Sequence, residues 1–176
     1  MKRLTFVLLL VLGAVLTGCA QKLPVNTGND VGVLAIPMMG QKSGRGEFIF
    51  SYELTHSMNH EIAIRITPGA GEKFVFSEAL PAGSYTFDTV TMYAKPTITT
   101  LSSVNKLSRK LDPPVRIQIE AGKVVLLPSR LRVSIKPGDA EEFYQVTSWE
   151  EMDEETIVTM KKRLESMENA DGWQIQ

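Results

Sequence analysis

The sequence predicts a mainly β protein: an antiparallel β-sandwich of about seven or eight strands with a C-terminal amphipathic helix. Three observations support this fold class. From residue 31 onward, apolar and polar residues alternate with a period of two, which is typical of strands with one face in a core and one in water. Turn-forming residues separate the alternating runs. Predicted strands and helices do not alternate along the chain, so a parallel α/β sheet is not expected.

The N-terminus has the pattern of an export signal. Lys2 and Arg3 supply positive charge, and an apolar run follows over residues 6–16. A transmembrane helix needs about 20 apolar residues, so this run is too short to span a bilayer, but it fits the apolar part of a signal peptide. We therefore expect residues 1–18 to be removed on export.

The end of this signal resembles the bacterial lipobox, in which a leucine and two small or polar residues precede a cysteine. The matching residues here are Leu16, Thr17, Gly18 and Cys19, and Cys19 is the only cysteine in the chain. The resemblance implies that the Cys19 thiol receives a diacylglyceryl group and that the new amine is acylated, for example with palmitate. Two or more acyl chains anchor a protein stably in a membrane.

Sorting is implied by the same resemblance. In Gram-negative lipoproteins an aspartate after the cysteine retains the protein in the inner membrane, and this chain has Ala20 there. The expected location is therefore the outer membrane, with the domain facing the periplasm.

The rest of the chain divides into a tether, a domain, a helix and a tail. Residues 19–30 are polar without periodicity and are predicted to be the lipidated N-terminus and tether. The β-sandwich domain is predicted over 31–147, the helix over 148–168 and the tail over 169–176. Strands are expected near 31–38, 46–55, 60–67, 72–78, 84–93, 115–120, 123–128 and 130–136.

The strand near 84–93 allows two interpretations. Tyr85 and Phe87 share one face, whereas Val90 and Met92 lie on the other. Either a bulge shifts the phase, or both faces of the strand are covered. We expect the second arrangement, with the C-terminal helix as the cover.

The C-terminal helix has a start signal and an apolar stripe. Residues 148–151, Ser-Trp-Glu-Glu, read as a capping box, with Asp153 as a second candidate cap. The stripe consists of Ile157, Met160, Leu164 and Met167. We expect it to pack on the domain, and the alternative is a partner-binding surface.

Residues 94–114 show no alternation and are locally basic through Lys95, Lys106, Arg109 and Lys110. We expect a solvated loop. The alternative is a contact surface for anionic lipid headgroups or an acidic partner.

Few residues indicate chemistry. His56, Met58 and His60 would suit a soft metal if they shared one face of a strand, but Ser57 and Asn59 favour a turn that separates them. No metal or other cofactor is therefore predicted. No nucleophile motif or phosphate-binding loop occurs, so no enzyme activity is expected.

Charge argues against nucleic acid as a partner. Removal of residues 1–18 takes away Lys2 and Arg3, which leaves 17 basic against 20 acidic residues, or a net charge of −3. Nonspecific nucleic-acid binding needs a strongly basic surface.

A second resemblance concerns the domain. The stretches Phe74–Phe76, Leu80–Phe87 and Ile119–Val124 look like those of small uncharacterised Gram-negative lipoproteins with transthyretin-like or carboxypeptidase-regulatory-like β-sandwiches. The resemblance implies fold and location and brings no catalytic residues. Since no catalytic signature is found, we expect a binding or assembly module for envelope proteins. The alternatives are a periplasmic ligand- or metal-binding lipoprotein and, third, an envelope hydrolase.

Overall fold

A computed structural model describes residues 21–28, 30–43, 47–94, 106–138 and 143–176 of the protein. In this part of the chain the fold is mainly β, with two sheets and one C-terminal α-helix. The strands are β1 (Val31–Gln41), β2 (Phe50–His56), β3 (Ala63–Ile66), β4 (Gly71–Phe76), β5 (Leu80–Pro81), β6 (Gly83–Ala94), β7 (Lys106–Ile119), β8 (Lys123–Leu126), β9 (Ser129–Pro137), β10 (Phe143–Glu151) and β11 (Gln174–Ile175). The helix α1 (Glu154–Glu165) precedes a short 3₁₀ helix, Ala170–Gly172.

The larger sheet has seven strands with β1 at its centre. On one side β1 runs parallel to β8 and β9, and on the other it pairs antiparallel with β4 and β5. β10 pairs with the far side of β9, and β11 with the far side of β8. The sheet is therefore mixed, which corrects the prediction of a purely antiparallel arrangement. β1 is buried on both faces, and its continuous apolar run is the pattern of parallel strands, whereas the prediction followed the period-two alternation of the other strands.

The smaller sheet is antiparallel, in the order β3–β2–β6–β7. It faces the larger sheet across one hydrophobic core, because alternate residues of both sheets point inward. Leu34, Ile36 and Met38 of β1 contribute to this core, as do Leu54 of β2 and Phe87 of β6.

A second core lies on the other face of the larger sheet, under α1. Val33 and Ala35 of β1 point to this side. Met160 and Leu164 of α1 are buried against it, while Ile157 and Met167 pack at its margin. The predicted stripe therefore packs on the protein's own domain.

The phase change in β6 comes from a β-bulge, since the pairing of β6 with β7 shifts between Phe87 and Thr89. Tyr85 and Phe87 before the bulge, and Val90 and Met92 after it, all contact the core between the sheets. The expectation that α1 covers Val90 and Met92 is wrong, because α1 packs on the other sheet.

The helix starts later than residue 148. β10 continues through residues 148–151, which pair with β9, so the predicted capping box is part of a strand. Asp153, the second candidate, is the N-cap, and its carboxylate accepts a hydrogen bond from the Thr156 N–H at 2.7 Å. Tertiary pairing overrode the local helix signal here.

The predicted tether and tail are largely part of the domain. Leu23, only 1% exposed, lies in the second core with Trp173. The predicted tail contains the 3₁₀ helix and β11. Two large apolar side chains in otherwise polar segments are what hold both chain ends against α1 and the sheet.

Candidate functional site

The second half of the predicted 94–114 loop is a strand. Residues 95–105 lie outside the described residues, and β7 begins at Lys106. β7 is the last strand of the smaller sheet, and most of its residues are exposed. An edge strand of this kind needs few apolar residues, so the period-two pattern was absent from its first half.

β7 carries a wide bulge next to the core. Its residues 111–114 oppose the single residue Asp88 of β6, and the flanking pairs are Thr89–Lys110 and Phe87–Val115. Pro113 and Pro114 lack the N–H groups that would continue the pairing. The chain therefore leaves the sheet here and brings Leu111 and the two prolines toward the other sheet.

The bulge forms one wall of a cleft between the two sheet edges, which we call the β7–β10 cleft. β7 supplies one wall, β10 the other, and the 127–129 turn closes one side. Two adjoining cavities make up the cleft, of about 150 Å³ and 370 Å³. Leu111 and Trp149 line both, and both side chains are half-buried. They therefore form the centre of the cleft.

Most of the cleft lining is apolar. The smaller cavity reaches the core side chains Leu54, Ile66 and Leu131, whereas the larger one is lined by Pro113, Pro114, Val115 and Leu127. The charged residues of the described lining are Arg109, Asp112 and Arg116. Such a surface favours an apolar segment with polar or acidic groups near the basic side chains.

A partly buried polar pair adjoins the smaller cavity, whose lining includes Tyr52. The Gln145 Nε2 of β10 donates a hydrogen bond to the Tyr52 hydroxyl oxygen at 2.5 Å, which links the two sheets. Burial raises the pKa of the Tyr52 phenol above its ordinary value of 10.0, although hydrogen bonds from Gln145 and Thr147 work in the opposite direction. Tyr52 therefore stays protonated at neutral pH and acts as a hydrogen-bonding group.

An ion pair holds the strand beside the bulge. The Lys110 ammonium lies 2.7 Å from the Asp88 carboxylate. This hydrogen bond is the main reason that the pKa of Asp88 lies below its ordinary value of 3.8. The pair fixes Lys110 on the outer face of the sheet, away from the cleft lining.

The three candidate metal ligands do not converge. The His56 ring is nearly buried against Tyr85 and Phe87, and its Nδ1 accepts hydrogen bonds from the backbone N–H groups of Met58 and Asn59. Met58 is 88% exposed, and His60 is exposed as well. This is the turn that the sequence favoured. Within the described residues, no group of three or more His, Cys, Asp or Glu side chains is placed to hold a metal ion.

The lipobox residues Leu16, Thr17, Gly18 and Cys19, together with Ala20, lie outside the described residues. Among the residues that are described, no helix is long and apolar enough to cross a membrane. Comparison with protein families, curated proteins and solved structures found no match to this chain.

Sequence reasoning missed the cleft. Leu111 was placed in a loop and Trp149 at a helix start, and nothing in the local pattern relates them. One signal was present: Asp112-Pro113-Pro114 directly before an alternating run is typical of an edge strand with a bulge.

Proposed function

We propose that this chain is a lipid-anchored lipoprotein of the bacterial outer membrane, and that its periplasmic domain binds a segment of another envelope protein in the β7–β10 cleft. The anchor is proposed from the lipobox that ends at Cys19, the only cysteine. The outer-membrane location is proposed from Ala20.

The observation that carries the binding function is the continuous apolar lining around Leu111 and Trp149, which joins both cavities. Half-buried aromatic and aliphatic side chains in a groove are the usual anchors of protein recognition. In the described part of the chain, β7 and β10 each have one edge without a paired strand. An extended segment would find backbone hydrogen-bonding groups there as well as apolar contacts.

A small-molecule ligand in the same cleft is the second candidate, favoured by the cavity of about 150 Å³ that reaches core side chains. Small-molecule sites usually measure about 300–1,000 Å³. Taken together, the two adjoining cavities fall within this range, so volume alone does not separate the two candidates. The unpaired edges of β7 and β10 in the described part of the chain favour an extended protein segment, and a metal role finds no support from His56, whose Nδ1 is already engaged.

The finer fold assignment is also part of the proposal. A transthyretin-like or carboxypeptidase-regulatory-like sandwich is supported by two sheets that share one core. The parallel pairing of β1 with β8 and β9 is a departure from an all-antiparallel sandwich.

Site-specific photo-crosslinking in cells tests the binding function. A photoreactive phenylalanine analogue in place of Leu111 should form a discrete adduct with an envelope protein. The same analogue at Val158, exposed on α1, should not form that adduct. Trp149→Ala combined with the Leu111 probe should remove the adduct. Absence of an adduct at Leu111, or the same adduct from both positions, would contradict the proposal.

A further inference from the structure

Gln21 lies beside the edge of β4 that pairs with no strand among the described residues. The Gln21 carboxamide pairs with the backbone of Phe74 in both directions: its Nε2 donates to the Phe74 oxygen at 2.6 Å, and its Oε1 accepts from the Phe74 N–H at 2.8 Å. The side chain thus takes the place that a neighbouring strand would take beside β4. Gln21 is therefore a fixed point of the domain.

The next residues are held as firmly. The Lys22 ammonium lies 2.6 Å from the Glu168 carboxylate, and the Leu23 N–H donates to the Glu168 backbone oxygen at 3.1 Å. Leu23 is buried, and the Trp173 indole N–H donates to the Pro24 oxygen at 2.7 Å. With so many contacts, residues 21–24 move with the domain and give it no freedom as a tether.

The distance from this fixed point to the proposed anchor is short. Cys19 precedes Gln21 by two residues. Consecutive Cα atoms are 3.8 Å apart, so the Cα of Cys19 lies within about 7.6 Å of the Cα of Gln21. Acyl chains on Cys19 enter the bilayer, so Gln21 and the adjoining β4 edge are held close to the lipid headgroups.

The β7–β10 cleft lies on the opposite side of the domain. Met38 of β1 pairs with Lys73 of β4 on one side and with Leu131 of β9 on the other, and Leu131 pairs in turn with Trp149 of β10. β4 and β10 are therefore opposite edges of the larger sheet. Three steps of about 4.8 Å separate them, which is about 14 Å between the backbones of the two edges.

From these observations we infer that the domain is held against the membrane in one orientation, with the β4 edge beside the lipid headgroups and the β7–β10 cleft turned toward the periplasm. This inference rests on the proposed lipidation of Cys19. It implies that the partner segment reaches the cleft from the periplasm and does not approach along the membrane surface.

Fluorescence quenching of the full lipidated protein in phospholipid vesicles tests the orientation. The thiol of Cys19 is blocked by lipid, so a cysteine introduced elsewhere is the only reactive thiol. Glu168→Cys places a fluorophore near the β4 edge, because residue 168 lies beside Lys22 and Leu23 in the fold. Residue 168 is distant from Cys19 in sequence, so its position reports the orientation of the folded domain. Arg116→Cys places one on the lining of the cleft. The Glu168→Cys variant removes the exposed Lys22–Glu168 ion pair, but the Leu23 N–H donates to the backbone oxygen of position 168, so this contact with the N-terminal segment remains.

Vesicles that contain a phospholipid with a nitroxide headgroup should remove most of the fluorescence at position 168 and little at position 116. A matched control inserts a linker of about twenty Gly and Ser residues between Ala20 and Gln21, which has a root-mean-square length of about 25 Å. The linker should abolish most of the difference between the two positions. Equal quenching at both positions without the linker, or stronger quenching at 116, would overturn the orientation.

The same samples distinguish a failure of the anchor from a failure of the orientation. Intact mass and flotation with the vesicles report lipid attachment before any quenching is measured. Without acyl chains on Cys19 the proposed function fails at its anchor, and the orientation falls with it. With acyl chains and equal quenching, only the orientation is overturned.

Discussion

A hydrogen bond between Gln145 of β10 and Tyr52 of β2 connects the two sheets beside the cleft. Besides donating to the Tyr52 hydroxyl, the Gln145 side chain accepts from the N–H groups of Ile49 and Phe50 and donates to the Phe50 oxygen. One carboxamide thus satisfies the backbone at the start of β2 and a buried phenol. The edge strand β10 is therefore attached to both sheets.

Gln145→Ala should reduce the free energy of unfolding by about 1–3 kcal/mol, because partly buried backbone groups lose their partners. Tyr144→Ala is the matched control, since the neighbouring side chain is 51% exposed on the opposite face of the same strand. Urea melts at constant pH measure the free energy of unfolding of both variants. Equal midpoints for the two variants would mean that Gln145 does not hold the sheets together.

Leu164→Ala should reduce the free energy of unfolding by about 2–5 kcal/mol. Leu164 of α1 is fully buried in the second core, so loss of its side chain leaves a cavity. Val158→Ala on the exposed side of the same helix should change it by less than about 0.5 kcal/mol. Urea melts of the mature chain compare the two. An unchanged midpoint for Leu164→Ala would show that the stripe does not stabilise the domain and would make α1 a candidate partner surface.

His56→Ala should lower the melting temperature, since two backbone N–H groups of the turn lose their acceptor and the aromatic contacts are lost. His60→Ala should leave it unchanged, because His60 is exposed. Added copper should not shift the melting temperature of the wild type. A copper-dependent rise that both variants abolish would instead establish a metal site at the turn.

Asp153→Asn should make the protein less sensitive to acid. The hydrogen bond with Thr156 holds the pKa of Asp153 below its ordinary value of 3.8 in the folded state. Because the pKa of Asp153 is lower in the folded than in the unfolded protein, its ionised carboxylate stabilises the fold at pH values above the unfolded pKa. This stabilisation is lost as the pH falls through the folded pKa. Asparagine also caps helices but does not titrate. Between about pH 5 and pH 2, melts should therefore show that the stability of the variant falls less steeply with pH than that of the wild type. The same dependence of stability on pH in both proteins would contradict this role of Asp153.

Local patterns predicted the strands that bury one face in the core, and the helix. In β2, β3 and β9 the alternation survived because one face of each strand lies in the core. The apolar stripe of α1 identified its buried face for the same reason, although not the sheet that it covers. That choice depends on contacts between distant parts of the chain.

The edge strands β7 and β10 and the chain ends were harder to predict. β10 and the first half of β7 contribute few core residues, so their sequences resemble a helix start and a loop. The segment around Gln21 looks like a tether because its contacts with Phe74 are hydrogen bonds from a polar side chain. The cleft joins Leu111 to Trp149, which no local pattern relates. These features depend on tertiary pairing.

The intact mass of the mature protein, purified from membranes, determines whether Cys19 carries lipid. We predict a chain that begins at Cys19 and carries the added mass of a diacylglyceryl group and an N-linked acyl chain, with no free thiol. Cys19→Ala should leave residues 1–18 attached and add no lipid. A wild-type chain cleaved at another residue, or one with an unmodified Cys19, would contradict the account of this protein as a lipid-anchored binding module.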